Sequence, residues 1–251
     1  MIDNPILAAM RERRSAHRFT AAPVDQEQLD AILEAGRWAP SATNSQPWDF
    51  VVVTDPALRA QLGIILREVT WAWSGFAAAP VVIVVSVDPT RDPAHFVEDG
   101  AVAAQNLCLA AQSMGLASSW AGVHDQSGKS PAERKVKKLL ALPHSHRIIA
   151  VVPVGTPAHV PRASRRPLAT MVHRDRYHGS AGPAPAAEIE PAARSEVMAA
   201  QAAGSADCRV GSPPLNTTAS SRARRRRRKS STSAHGSSLS PWGDQRCSFW
   251  Q

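Results

Sequence analysis

The sequence predicts an α+β (mixed α/β) fold, with helices flanking one mixed sheet, and three observations predict it. Helical apolar periods alternate along the chain with three or four short β-branched runs. One of those runs, Val81 to Val87, is almost uninterrupted, as suits a central strand covered on both faces. The apolar periods stop at Gly179, and Ala, Ser, Pro, Gly and Arg dominate from there on. Helical pairs between strands argue for packed layers rather than a barrel.

Asn4-Pro5 opens the first helix, with proline tolerated in its first turn and Ile6, Leu7 and Met10 on one face. A second helix follows Pro23, with Asp25 as its cap, and Leu29, Ile32, Leu33 and Gly36 recurring at helical spacing. Phe50 to Val53 reads as a buried strand. Asp55-Pro56 starts a third helix carrying Leu58, Leu62, Ile65 and Leu66. After the Val81–Val87 strand, a long helix from about Phe96 to Met114 has acids in its first turn and Gly115 at its end. Its middle, Ala101 to Ala111, is apolar nearly all round, so a large core or a second subunit must enclose it. Ala117 to Trp120 reads as a short strand, Pro131 to Leu142 as an amphipathic helix and Ile148 to Val154 as a further strand.

These elements place one domain at 1–179 and a low-complexity basic tail at 180–251. The tail lacks the apolar surface needed to offset chain entropy and is expected to be disordered. It also carries most of the net charge of +8, with ten Lys and Arg against five acids, where 1–179 holds nineteen against sixteen. The basicity therefore says little about what the folded part binds. Three cysteines without metal or disulfide spacing, and no apolar run of roughly 20 residues, fit a cytoplasmic protein that does not cross a membrane. Scattered histidines give no metal site. The absence of GxGxxG, a Walker lysine loop and GxSxG excludes the common nucleotide loops and the serine-hydrolase elbow.

Two basic groups remain, and one polar loop. Arg13-Arg14-Ser15 with Arg18 makes a compact anion cradle, although alone it reads first as a solvated helix end. Arg162, Arg165 and Arg166 follow the last strand, and two clusters flanking one domain suit a shared phosphate. Between Trp38 and Trp48, the side chains of Ser41, Thr43, Asn44, Ser45 and Gln46 can donate or accept, as a flat polar-edged ligand requires. An ordinary helix-to-strand loop has the same look. Cys108 reads as a small core residue, and Trp71 and Trp73 as packing.

Taken together, five blocks resemble the FMN-dependent nitroreductase family. They are Arg13-Arg14-Ser15-Ala16-His17-Arg18-Phe19, then Leu33 to Ser41 with Asn44-Ser45-Gln46-Pro47-Trp48, then Asp99-Gly100-Ala101 with Ala104-Gln105-Asn106-Leu107. Met114-Gly115-Leu116 with Trp120-Ala121-Gly122 follows, and Val154-Gly155-Thr156-Pro157 with Arg165-Arg166-Pro167-Leu168 closes the series. The blocks stand in the family's order and cover about 1–179.

The resemblance implies a homodimer with FMN at the subunit interface and the long apolar helix as part of that interface. It implies that Arg13, Arg14 and Ser15 hold the phosphate and ribityl end with Arg165, or with Arg166 if the alignment slips by one. Ser41 and Asn44 would meet the partner's flavin, and the backbone of Trp120, Ala121 and Gly122 would lie along its reactive edge. His17 stands where the family carries a basic residue, so either His17 or the adjacent Arg18 serves that position. The stretch between Arg67 and Ala79 is short, which implies an open substrate site. The implied reaction is ping-pong: NADH or NADPH reduces the flavin, and a nitroaromatic, quinone or activated alkene takes the electrons, with no side-chain nucleophile. Dehalogenation of iodotyrosine type, flavin fragmentation and enone reduction share these motifs. Two other readings stand beside it: nucleic-acid binding through Arg224 to Lys229, and a flavin-binding family member with lost or different activity. A basic run without interleaved aromatics reads first as a solvated tail.

Overall fold

The computed structural model describes residues 2–70, 73–125 and 128–177. The expected tail, its boundary after 179, His178, Trp71 and the Trp73 side chain lie outside the described residues. The remainder divides into a main unit up to Ala163 and a separate stretch from Ser164.

In chain order the main unit comprises α1 (Pro5–Glu12), α2 (Gln26–Arg37), β1 (Trp48–Val53), α3 (Pro56–Leu66), α4 (Trp73–Ala78), β2 (Val81–Val87), α5 (Phe96–Ser113), β3 (Ala117–Ser118), α6 (Pro131–Leu139) and β4 (Arg147–Gly155). Three helices start alike: a polar cap accepts a backbone N–H, and proline fills the first helical position. Asn4 accepts from Ile6 at 2.9 Å, Asp55 from Leu58 at 2.8 Å and Ser130 from Glu133 at 3.2 Å. At the end of α5, Gly115 takes φ +75°, the left-handed turn expected of a glycine there.

The sheet order is β1-β2-β4-β3, and every pair of named strands is antiparallel. Its parallel character comes from an isolated bridge between Ser15 and Ser118. β2 lies inside the sheet and all seven of its residues are buried, as its β-branched run required. Alternation splits the core. Val81, Ile83, Val85 and Val87 face the layer of α2 and α5, while Val82 and Val84 face α3, α4 and α6. Burying each such side chain is worth roughly 1.5–3 kcal/mol.

Several expectations are corrected. The strand expected at Phe50 starts at Trp48, and it is a half-buried edge strand because only β2 pairs with it. β3 spans two residues rather than four, since the chain turns away from β4 after Ser118 and rejoins it through a bridge between Ala121 and Val151. α6 ends at Leu139, and Ala141 takes a positive φ of 53° in the turn that follows. The stretch before Ala79 holds α4, a helix too short for periodicity to reveal.

Candidate functional site

The segment after α1 is zipped into the domain on both sides. Ala16 N–H donates to the Ser118 carbonyl at 3.0 Å, Thr20 N–H to Thr156 at 2.9 Å, and Ala158 N–H to Arg18 at 3.0 Å. Ala16 and Phe19 are buried, whereas Arg13, Arg14, Ser15 and His17 are half-buried and Arg18 is exposed. α4 approaches this segment so closely that a Cβ on Gly75 would lie 2.5 Å from the His17 carbonyl oxygen, so only glycine fits. Burial lowers the His17 pKa from its ordinary value, which favours the neutral ring.

The three cradle residues differ in what they are free to do. Arg14 turns back on the helix end, donating from Nη1 to the carbonyls of Arg11 at 2.6 Å and Arg13 at 3.0 Å. It lines a cavity of about 110 Å³ with Ala16, Leu116 and Val160. Ligand pockets run from about 300 Å³ upward, so this cavity is too small for a flavin mononucleotide. The Arg13 guanidinium and the Ser15 hydroxyl make no hydrogen bond or ion pair among the described residues. Alternation along an extended segment places these two on the side away from Arg14 and Ala16. That donor set, a planar fork and a hydroxyl on a firmly held backbone, fits a phosphate.

The loop between α2 and β1 is built from strained backbone. Thr43, Asn44 and Gln46 have φ of 52°, 58° and 45°, a left-handed region that costs a non-glycine residue about 1–3 kcal/mol. Ser41 is fully buried, and its Oγ accepts the Gln46 N–H at 3.0 Å. It braces the loop, while Asn44 is exposed at the tip. The tie to the core is Asp99 in the first turn of α5. It is fully buried, accepting Ala42 N–H at 3.1 Å on Oδ1 and the Ser45 hydroxyl at 3.2 Å on Oδ2. Gly100 explains how the carboxylate gets there: a Cβ at that position would meet Ile149 at 2.6 Å and Val87 at 2.8 Å, so glycine lets α5 press onto the sheet.

Beyond β3, Trp120 is 40% exposed and Gly122 is exposed, while Ala121 is anchored by paired hydrogen bonds to Val151 at 2.9 and 3.0 Å. The far end of this loop is held by Arg147, which donates to the Asp125 carbonyl at 2.5 Å and forms a two-pronged pair with the buried Glu133. His124 lies edge-on to Phe96 at 6.0 Å, and its pKa is lowered, first by burial and then by the Arg147 charge.

The structure thus brings Arg13, Arg14, Ser15 and His17 against the strand that leads into Trp120, Ala121 and Gly122. Ser41 and Asn44 belong to a different place, the start of α5. Arg13 and Ser118 both act on the Cys108 thiol, whose pKa burial raises. Asp99 precedes Cys108 by nine residues, about 14 Å along a helix. Arg165 lies in the separate stretch; it is exposed and donates to the Ser164 carbonyl at 2.9 Å.

The sequence model described as "Nitroreductase family" matches residues 10–156, which include every expected site residue except Arg165. The chain belongs to the nitroreductase family. It is 33% identical over 161 residues to a candidate NADH dehydrogenase/NAD(P)H nitroreductase of Methanothermobacter thermautotrophicus, covering 62% of this chain and 79% of the relative. It is 29% identical to the NADPH-flavin oxidoreductase of Vibrio harveyi, over 69% of this chain and 75% of that one. Among solved structures, a candidate nitroreductase in complex with FMN from Desulfovibrio desulfuricans superposes with a TM-score of 0.58 at 32% identity, covering 70% of this chain and 99% of the other. In this nitroreductase-family chain, sequence reasoning quoted Asp99 within a motif but gave it no role. An acid in a helix's first turn reads as a partner for the helix dipole, and only the long-range contact with Ala42 and Ser45 shows otherwise.

Proposed function

We propose that the protein is an FMN-dependent oxidoreductase that takes hydride from NADH or NADPH and reduces a nitroaromatic, quinone or activated-alkene acceptor by a ping-pong cycle, acting as a homodimer with FMN between the subunits. The observation that carries this reading is the free pair Arg13 and Ser15, held on a fixed backbone beside the approach to Trp120–Gly122. Arg13 and Ser15 would grip the phosphate with His17 alongside, while Arg14 is committed to the helix end and Arg165 belongs to the separate stretch. When bound, FMN supplies the hydride and electron transfer, so no side chain of this chain need act as nucleophile. Asn44 would reach the flavin of a second copy, with the buried Ser41 bracing the loop behind it rather than touching the flavin, and the backbone of 120–122 would border the ring. The half-exposed Val102 and Leu109 on α5, with Ile6 and Met10 exposed on α1, give that copy an apolar surface to cover.

Titration with FMN, followed by quenching of flavin fluorescence, tests the proposal. The wild-type chain is expected to saturate and turn yellow, and NADH or NADPH to bleach the bound flavin under nitrogen. Arg13→Ala is expected to weaken FMN at least about tenfold, as loss of a charge-assisted contact should. A colourless protein that FMN does not saturate would sink the reading, and an unchanged affinity in Arg13→Ala would remove the phosphate assignment. With residues 1–179 as the FMN-binding unit, deletion of 180–251 leaves FMN affinity intact; a collapse would move the boundary.

A further inference from the structure

We propose that Asp99 is the positioning residue of loop 41–46: it locks the loop's left-handed backbone and so sets how Asn44 is presented to a flavin. The second half of this statement rests on the function proposed above; the first half stands on the geometry alone. Three non-glycine residues with positive φ within four positions do not persist unless their surroundings over-determine them. Within the loop, the bonds from Gln46 N–H to Ser41 Oγ and from Asn44 N–H to the Ser41 carbonyl at 3.1 Å close a tight turn. They do not fix where that turn stands on the domain. Arg91 touches the far end, donating to the Gln46 carbonyl at 3.0 Å, but Arg91 itself is exposed.

Asp99 supplies the fixed point. Both carboxylate oxygens are used, one on the Ala42 amide and one on the Ser45 hydroxyl, so the residues flanking Thr43 and Asn44 are pinned to one planar group. That group sits fully buried on a helix pressed to the sheet through Gly100. An acid at this position needs two donors aimed inward, and the chain obtains them by bending Thr43 and Asn44 into the left-handed region. The strain and the buried carboxylate are therefore two parts of one device.

A merely stabilising role predicts that loss of Asp99 acts like any other core lesion. Val136→Ala, a fully buried position on the opposite side of the sheet, provides that comparison. Hydrogen exchange of the flavin-free chain is read first. In Asp99→Ala the amides of Ala42, Asn44 and Gln46 are expected to exchange about tenfold faster than in Val136→Ala, and Asp99→Asn, which keeps the acceptor for Ala42, is expected to restore protection. FMN titration follows, with Asp99→Ala expected to weaken binding about tenfold while Val136→Ala does not. Equal loop exchange in the two alanine variants overturns the proposal. Faster exchange with unchanged FMN affinity overturns its flavin half. A wild-type chain that does not bind FMN overturns the proposed function instead, and the exchange result still decides the role of Asp99. Should Asp99→Ala fail to fold, Ser45→Ala removes one of the two ties; accelerated exchange at Ala42 and Asn44 supports the proposal, and unaltered exchange overturns it.

Discussion

Asp99 and Glu133 invite comparison, because each is a fully buried carboxylate in the first turn of a helix and each holds a loop that carries expected site residues. Glu133 brings its counter-charge with it. Arg147 binds both of its oxygens at 2.8 and 3.1 Å, Lys137 lies 3.7 Å away, and the Ile148 N–H adds a bond at 3.1 Å. Among the described residues Asp99 accepts from an amide and a hydroxyl, with the His95 charge a smaller influence. The two loops are consequently held by different physics. At 120–125 a cation bridges the acid to the Asp125 carbonyl, so the loop is tied through charge. At 41–46 neutral donors converge on the carboxylate, and the backbone strains to deliver them. A paired buried acid penalises the loss of its partner; an unpaired one penalises its own ionisation.

Removing Glu133 tests the first half of that contrast and carries the largest expected effect. Glu133→Ala leaves Arg147, only 16% exposed, without its acid, and a broken buried pair costs about 3–5 kcal/mol. The urea midpoint of the chain should fall accordingly. A loss below about 1 kcal/mol would mean that Arg147 reaches water, in the manner of an exposed pair, and the contrast would collapse. Asp99→Ala ranks second. It strands the buried Ala42 N–H and releases the half-buried Ser45 hydroxyl, and an unsatisfied buried donor costs about 1–3 kcal/mol. Asp99→Asn should retain most of that stability, whereas an equal loss in both variants would show that charge, rather than acceptor geometry, holds the loop.

What was legible in the sequence follows the same division between local and long-range causes. Asn4-Pro5, Asp55-Pro56 and Ser130-Pro131 each carry the whole instruction for a helix start, so the starts were readable to the residue. The run Val81–Val87 declared its own central place. The edge position of β1 was hidden because a half-buried strand and a buried one share the sequence Phe50-Val51-Val52-Val53 when only the missing neighbour differs. The polar loop was visible as chemistry but not as conformation. Thr43 and Gln46 carry no sign of positive φ, and Asn44 alone belongs to a residue type that tolerates it. Arg13 and Arg14 look equivalent in a string; only the turned helix end commits Arg14 and leaves Arg13 open.

The smallest effect sharpens the comparison most, because it reads Asp99 by its own titration. Burial raises the Asp99 pKa above the ordinary 3.8; the Ala42 and Ser45 bonds oppose that, the Asp92 charge adds to it and His95 subtracts from it. The unfolded chain keeps the ordinary value. Between the two values the folded state therefore holds more protons, and the contribution of Asp99 to stability falls as pH rises through that window. Below about pH 4 both states are protonated and the contribution is fully present. Urea unfolding of wild type and Asp99→Asn from pH 4 to 7, without flavin, isolates the effect because every other group titrates in both. The variant is expected to gain on the wild type as pH rises through that window and to level off above it. Parallel profiles would mean that the two donors satisfy the carboxylate as completely as Arg147 satisfies Glu133, and the distinction between a charge-tied and a strain-tied loop would then rest on the mutants alone.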